Sequence, residues 1–280
     1  MTRFLGIVAL LVCVCTGAYA NDADYSNSRP PEITPVEGDF PILFEIPLDM
    51  NIQCVGVGFD GEYFWVSAGD YLGECMFYIF DEYGNMIDEV PQGGGATGWG
   101  HRDLAFDGTY IVGSFSPDIN CFEHWTVLSG FFIGPLDPNR AMAFDGTYYY
   151  TGGYDQNLKK LTWDGNFGSV AFVEDLGGPW QGTYGLAFDC ANDCLWMTIS
   201  LASEPGWLHQ VTTSGFLLNT YSLLPEYGRQ AGCTMADTRF GHILVVVQQS
   251  DPDMLTFYDV ASNPSPTNEG SWGSMKAMFR

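Results

Sequence analysis

The sequence predicts an all-β protein, a β-propeller of five blades with four antiparallel strands each. Three observations predict it. A short segment ending in aspartate recurs five times at near-even spacing. Each copy is followed by further short strands bounded by glycine turns. The last copy lacks a final strand, and a segment ahead of the first copy supplies a matching one.

The recurring segments are Val55-Gly-Val-Gly-Phe-Asp60, Arg102-Asp-Leu-Ala-Phe-Asp107, Arg140-Ala-Met-Ala-Phe-Asp145, Tyr184-Gly-Leu-Ala-Phe-Asp189 and Gly232-Cys-Thr-Met-Ala-Asp237. Their aspartates are 47, 38, 44 and 48 residues apart, a period that suits four short strands per repeat. The first strand of each repeat carries small residues, Gly58, Ala105, Ala143 and Ala187, as blades crowding toward an axis require. Asp-Gly then forms a tight turn in three copies, and the aspartates read as turn residues whose carboxylates bond local backbone.

A second strand follows, rich in aromatic and β-branched residues, as in Tyr63-Phe-Trp-Val66 and Ile243-Leu-Val-Val-Val247. Third strands are expected at 76–80, 158–162, 208–212 and 255–258, and in the degenerate second repeat at 125–128. Fourth strands are expected at 87–90, 131–133, 170–173 and 216–223. After the fifth third strand comes Asn263-Pro-Ser-Pro266, a poor strand. Pro41-Ile-Leu-Phe-Glu-Ile-Pro47 is therefore expected to complete the fifth blade and close the ring, which removes exposed edges.

Residues 1–20 read as a secretory signal, with Arg3, an apolar run over 4–15 and the small-x-small Ala18-Tyr19-Ala20. Residues 21–37 read as a linker, 38–260 as the propeller and 261–280 as a tail. The expected location is secreted, extracellular or at the cell surface, with a periplasm as the alternative. The net charge of −24 disfavours nucleic acid and anionic membrane as partners. No segment is apolar for long enough to insert in a bilayer, and a monomer is expected.

Six cysteines follow the signal. An even number in an exported chain permits disulfides, and Cys190 and Cys194 flank a turn that they could bridge. Cys190-x-x-x-Cys194 is also half of a metal site, without a second Cys or His pair at a fixed spacing. Ser116-Pro-Asp-Ile-Asn120 and Ser250-Asp-Pro-Asp253 offer oxygens that could suit calcium, without a ligand ladder. Otherwise no cofactor is expected. His101, His124, His209 and His242 are dispersed and read as structural or surface residues. There is no Gly-x-Ser-x-Gly elbow, His-Glu-x-x-His helix or phosphate loop.

The candidate site lies where the chain enters each new repeat. Arg102, Arg140 and Arg229 stand there, with Trp99, His101, Trp180, Tyr184 and Tyr227 nearby. Arginine offers a fork for carboxylate or phosphate, and the aromatics offer faces for sugars. The expected ligand is a small anionic or carbohydrate molecule, or an extracellular protein. The competing reading is that each arginine pairs with a local acid such as Asp103 or Asp137.

The Gly-Leu-Ala-Phe-Asp repeat followed by an aromatic strand resembles secreted bacterial propellers of the YVTN, NHL and gluconolactonase-like superfamily. It is also similar to glutamine cyclotransferases, which pair five blades with a pocket at the channel. The gluconolactonase-like resemblance implies a divalent metal held by Glu, Asn and Asp from separate blades, yet the matching positions here are Arg102, Arg140 and Tyr184. The first functional expectation is therefore a non-enzymatic module that binds through its loop face. The second is a propeller enzyme, a lyase, hydrolase or cyclotransferase, with its pocket at the channel mouth.

Overall fold

The computed structural model describes residues 40–70, 73–123, 127–154, 156–178, 180–200, 206–223 and 229–260. The expected signal, linker and tail lie outside the described residues. Twenty strands, and no helix, are found among the described residues.

The first strand, β1 (Ile42–Leu48), precedes the first full blade. Blade one is β2 (Gln53–Phe59), β3 (Phe64–Gly69), β4 (Cys75–Phe80) and β5 (Met86–Pro91). Blade two is β6 (Leu104–Phe106), β7 (Ile111–Ser114), β8 (Asp118–Glu123) and β9 (Val127–Ile133). Blade three is β10 (Ala141–Phe144), β11 (Tyr149–Gly152), β12 (Lys159–Thr162) and β13 (Phe172–Asp175). Blade four is β14 (Thr183–Asp189), β15 (Cys194–Ile199), β16 (Trp207–Thr212) and β17 (Leu217–Ser222). Blade five is β18 (Arg229–Thr238), β19 (Gly241–Gln249), β20 (Asp253–Tyr258) and, outermost, β1.

The ring is thus closed by its own N-terminal strand. Strand β1 runs antiparallel to β20, with Ile46 opposite Leu255 and Leu48 opposite Asp253. Phe40, just ahead of β1, reaches past its own blade to Trp196 and Tyr221 of blade four, with centroids 5.6 and 4.6 Å apart. Blade two departs from expectation. Its third strand is β8, because Asp118-Ile-Asn-Cys-Phe-Glu123 buries Ile119, Cys121 and Phe122, and 127–133 is its fourth.

The core is not one central mass but five apolar layers, each between neighbouring blades. Phe64 and Val66 face blade five, while Trp65 faces Leu104, Ile111 and Phe122 of blade two. A strand that meets a blade on each side reads as an unbroken apolar run rather than an alternating one, as Phe64-Trp-Val and Leu244-Val-Val-Val247 do. Hydroxyls also span the layers. Ser114 Oγ donates to the Arg140 carbonyl of blade three at 3.1 Å, and Thr198 Oγ1 to the Ala231 carbonyl of blade five.

Four of the repeated aspartates, Asp60, Asp107, Asp145 and Asp189, accept backbone amides of their turns, whereas Asp237 lies in β18 and faces His242. Asp60, Asp107 and Asp145 each accept two backbone amides through Oδ1, from the residues two and three positions on. The other oxygen takes an aromatic donor: Trp65 Nε1 on Asp60, the Tyr150 hydroxyl on Asp145, and Trp196 Nε1 on Asp189. Asp107 instead accepts the hydroxyl of Tyr149, in the next blade, at 2.6 Å.

The expected disulfide is absent. All six described cysteines are free thiols. Cys194 begins β15 and is wholly buried, whereas Cys190 sits exposed on the turn before it, so the two point to opposite sides of the hairpin.

Candidate functional site at the mouth of the ring

Arg102 and Arg140 occupy the same place in neighbouring blades. Each donates its backbone N–H at 2.8 Å to a carbonyl at the end of the second strand, that of Ser114 or Gly152. Each is followed by the residue that begins the axis-lining run, Asp103 or Ala141. Tyr184 holds the same place in blade four, before Gly185. Three consecutive blades therefore present Arg, Arg and Tyr at one level of the ring.

The axis is closed immediately beneath them. Asp103 is fully buried, and its Oδ2 accepts the backbone amides of Met142 at 2.9 Å and Leu186 at 2.8 Å. It thereby joins blades two, three and four. Blades one and five meet it through glycine: a Cβ at Gly56 would stand 2.8 Å from Asp103 Cα, and one at Gly232 would stand 2.5 Å from Asp103 Oδ1. Only glycine lets both backbones approach the carboxyl so closely. Burial pushes the Asp103 carboxyl well above the usual carboxylate range and outweighs the backbone amides that pull it down. Beyond it lies a cavity of about 110 Å³ bounded by residues that include Leu104, Phe106, Met142, Phe144 and Phe188. The mouth is thus a floor, not an open pore.

Above this floor Arg140 is held by aromatic faces. Its guanidinium carbon lies 5.1 Å from the ring centre of Tyr154 and 5.5 Å from that of Tyr184. The two tyrosines meet edge to face at 5.8 Å. Among the described residues no carboxylate forms an ion pair with Arg140. The acids expected to neutralise the arginines serve elsewhere: Asp103 takes backbone amides, and Asp137 Oδ1 accepts the Ser116 hydroxyl at 3.3 Å. Tyr154 went unnoticed in the sequence because it lies in the loop after β11, outside the repeated segment.

The other expected residues are scattered. His101 is fully buried. Its Nδ1 faces Gln92 Oε1 at 2.8 Å, which also accepts the His101 backbone N–H, and its Nε2 faces Asn120 Nδ2 at 2.9 Å. Gln92 Nε2 is used in donating to the Ala68 and Met76 carbonyls, so the network fixes a neutral ring protonated at Nδ1. Burial pushes this imidazole down to about 3. His101 is therefore a structural pin between blades one and two, not a mouth residue. Trp180 is half buried between blades three and four, its ring 5.9 Å from His209.

Arg229 does not share the place of Arg102 and Arg140. Strand β18 begins three residues earlier than that level, Arg229 pairs with Gln249, and Gly232 stands where blades two, three and four carry Arg, Arg and Tyr. Trp99 is half buried, with its backbone against Gly69. Tyr227 lies outside the described residues. A larger cavity of about 500 Å³ opens beside blade one, between Ile52, Glu74, Met76, Tyr78 and Gln92, and the arginines do not line it. In the two segments that could suit calcium, some groups have partners within the fold. Asn120 is bound to His101, and both Asp253 oxygens accept backbone amides, from Cys54 and Ser250.

The fold and its closed axis define a five-bladed β-propeller. The chain is similar to the solved structure of Myxococcus xanthus glutaminyl cyclase, with a TM-score of 0.58 and 13% identity over 78% of this chain and 94% of that one. No protein-family model matches the chain, and neither does any curated protein. The likeness is one of fold, and it corrects the first functional expectation. The architecture taken as that of a non-enzymatic binding module is one that in this solved neighbour carries an enzyme.

Proposed function

We propose that this protein is a propeller enzyme whose substrate is held at the mouth of the ring by Arg140. The observation that carries this reading is Arg140 itself, a half-buried cation braced by Tyr154 and Tyr184 and, among the described residues, without an ion pair. A guanidinium in that setting keeps donors free for a carboxylate, phosphate or sugar oxygen. The tyrosine faces favour a substrate with a flat or apolar part beside the anionic group. Arg102, one blade away at the same level, adds positive charge to the same mouth.

Of the lyase, hydrolase and cyclotransferase readings, the name of the fold neighbour supports cyclotransfer. The reaction to test first is cyclisation of an N-terminal glutaminyl residue, in which the amine attacks the side-chain amide and ammonia leaves. The test measures ammonia release from glutaminyl peptides by the wild type and by Arg140→Ala and Arg140→Lys. The reading predicts turnover that drops at least 100-fold in kcat/KM in Arg140→Ala, with a loss of stability of only about 1 kcal/mol, the scale of its cation–π contacts. No turnover of glutaminyl peptides removes the cyclotransferase assignment. Turnover that is equal in wild type and Arg140→Ala removes the mouth.

A further inference from the structure

On the face of the ring opposite the mouth, the β14–β15 turn of blade four meets the β18–β19 turn of blade five. There Cys190, Asp237 and His242 bring one ligand atom each to within 4.8 Å of one another. They are 47 and 5 residues apart in sequence, so no spacing motif announces them. We infer that these three residues form a site for a zinc-type divalent cation, separate from the mouth.

The donor set is a thiol, an imidazole and a carboxylate. Borderline-soft ions such as zinc take this mixture, whereas calcium and magnesium prefer oxygen alone. Ligand atoms around a tetrahedral zinc stand about 3.3–3.7 Å apart, given bonds of about 2.0–2.3 Å. Cys190 is exposed on a turn and Asp237 is exposed near the end of β18, so their side chains can make the small adjustment required.

The histidine is already oriented for the task. His242 Nε2 faces Asp189 Oδ1 at 3.0 Å, and Nδ1 faces Asp237 Oδ1 at 2.6 Å. Asp189 is fully buried and immobilised by the Ala191 and Asn192 amides, Asn192 Nδ2 and Trp196 Nε1. A buried carboxylate that receives one ring N–H fixes the tautomer and leaves the other nitrogen to the metal, the usual arrangement behind metal-bound histidine. Here Nε2–H donates to Asp189, and Nδ1 faces Asp237. Binding a cation breaks the Nδ1–Asp237 hydrogen bond. It releases to solvent the Cys190 thiol proton and any proton on Nδ1. Three protein ligands leave the fourth position to water, as in zinc sites that keep an open coordination place.

Cobalt(II), added to the chelator-treated chain, tests the site. The expected result is one equivalent bound with tetrahedral visible bands and a thiolate-to-cobalt charge-transfer band, all displaced by zinc. Zinc should also protect Cys190, the exposed thiol among the six described cysteines, from alkylation. Cys190→Ser should remove the charge-transfer band and weaken binding at least tenfold. Asp189→Asn should keep that band and weaken binding about 10- to 100-fold, the usual effect of removing a supporting carboxylate. If Asp189→Asn fails to fold, His242→Gln serves, with loss of the tetrahedral bands as the expected result. Cobalt binding without a charge-transfer band, equal binding by Cys190→Ser, or no saturable binding would overturn the assignment.

Discussion

The carboxylate of Asp103 accepts the backbone amide of Leu186, 83 residues away, at 2.8 Å. With the Met142 amide on the same oxygen, one side chain at the centre of the ring ties three inner strands together. Removing it leaves two buried amides without an acceptor. Asp103→Ala is expected to lose about 2–4 kcal/mol of stability. Asp103→Asn keeps an acceptor oxygen and should lose less. Chemical denaturation of the three proteins checks this, and equal midpoints for wild type and Asp103→Ala would refute the tie.

His101 gives a pH dependence of known sign. Its folded-state imidazole is held down to about 3 by burial, below the ordinary value near 6.5 that it has when unfolded. The unfolded chain therefore binds the proton first. The contribution of a neutral, bonded His101 is complete above about pH 6.5 and is lost as pH falls toward 3, by at most about 1.4 kcal/mol per pH unit. The stability difference between wild type and His101→Gln should be flat at neutral pH and shrink below about 6.5. A difference that stays constant down to pH 4 would show that His101 protonates freely in the fold.

Closure by β1 has a measurable cost. Ile46 and Leu48 are buried against blades five and one, and Phe40 against blade four. Full burial of each such side chain is worth about 1.5–3 kcal/mol. Deleting residues 40–48 should therefore remove on the order of 5 kcal/mol or more, and it also exposes the edge of β20. Phe40→Ala alone should cost about 3 kcal/mol. Thermal melting tests both, and a deletion that melts like the wild type would sink the closure.

The tyrosines that flank Arg140 should be energetically coupled to it. A double-mutant cycle over Arg140→Ala and Tyr184→Ala is expected to show a coupling of about 1 kcal/mol in stability, the scale of a partly exposed cation–π contact. Tyr154→Ala should weaken substrate capture at the mouth more than it lowers stability. A coupling indistinguishable from zero would mean that the rings do not brace the cation.

Much of the fold is legible in the sequence because the signals are local. The Phe-Asp turns, the small residues before them and the aromatic strands after them depend on neighbours a few positions away. The missing fifth outer strand, with its counterpart at residues 41–47, made closure readable as well. Blade two was misassigned at its third strand because Asp118-Ile-Asn-Cys-Phe-Glu123 lies on a segment that reads as a polar loop. Its apolar members become meaningful only once blade three packs against Ile119 and Cys121 and blade one against Phe122.

The candidate site was legible only in part. Arg102, Arg140 and Tyr184 could be placed at one level of the ring because they hold one position of the repeat. His101 and Arg229 were misplaced because nearness in sequence to a blade junction does not say which way a side chain turns. The sequence by itself determined the ring, its number of blades and the chemistry of its turns, since these follow from short-range patterns repeated five times. Only the tertiary structure decided that Asp103 crosses the axis, that Cys190 and Cys194 part company, and that Cys190 meets His242 instead. Those relationships depend on which blade faces which, and a chain separation of 50 or 80 residues leaves no periodic trace of that.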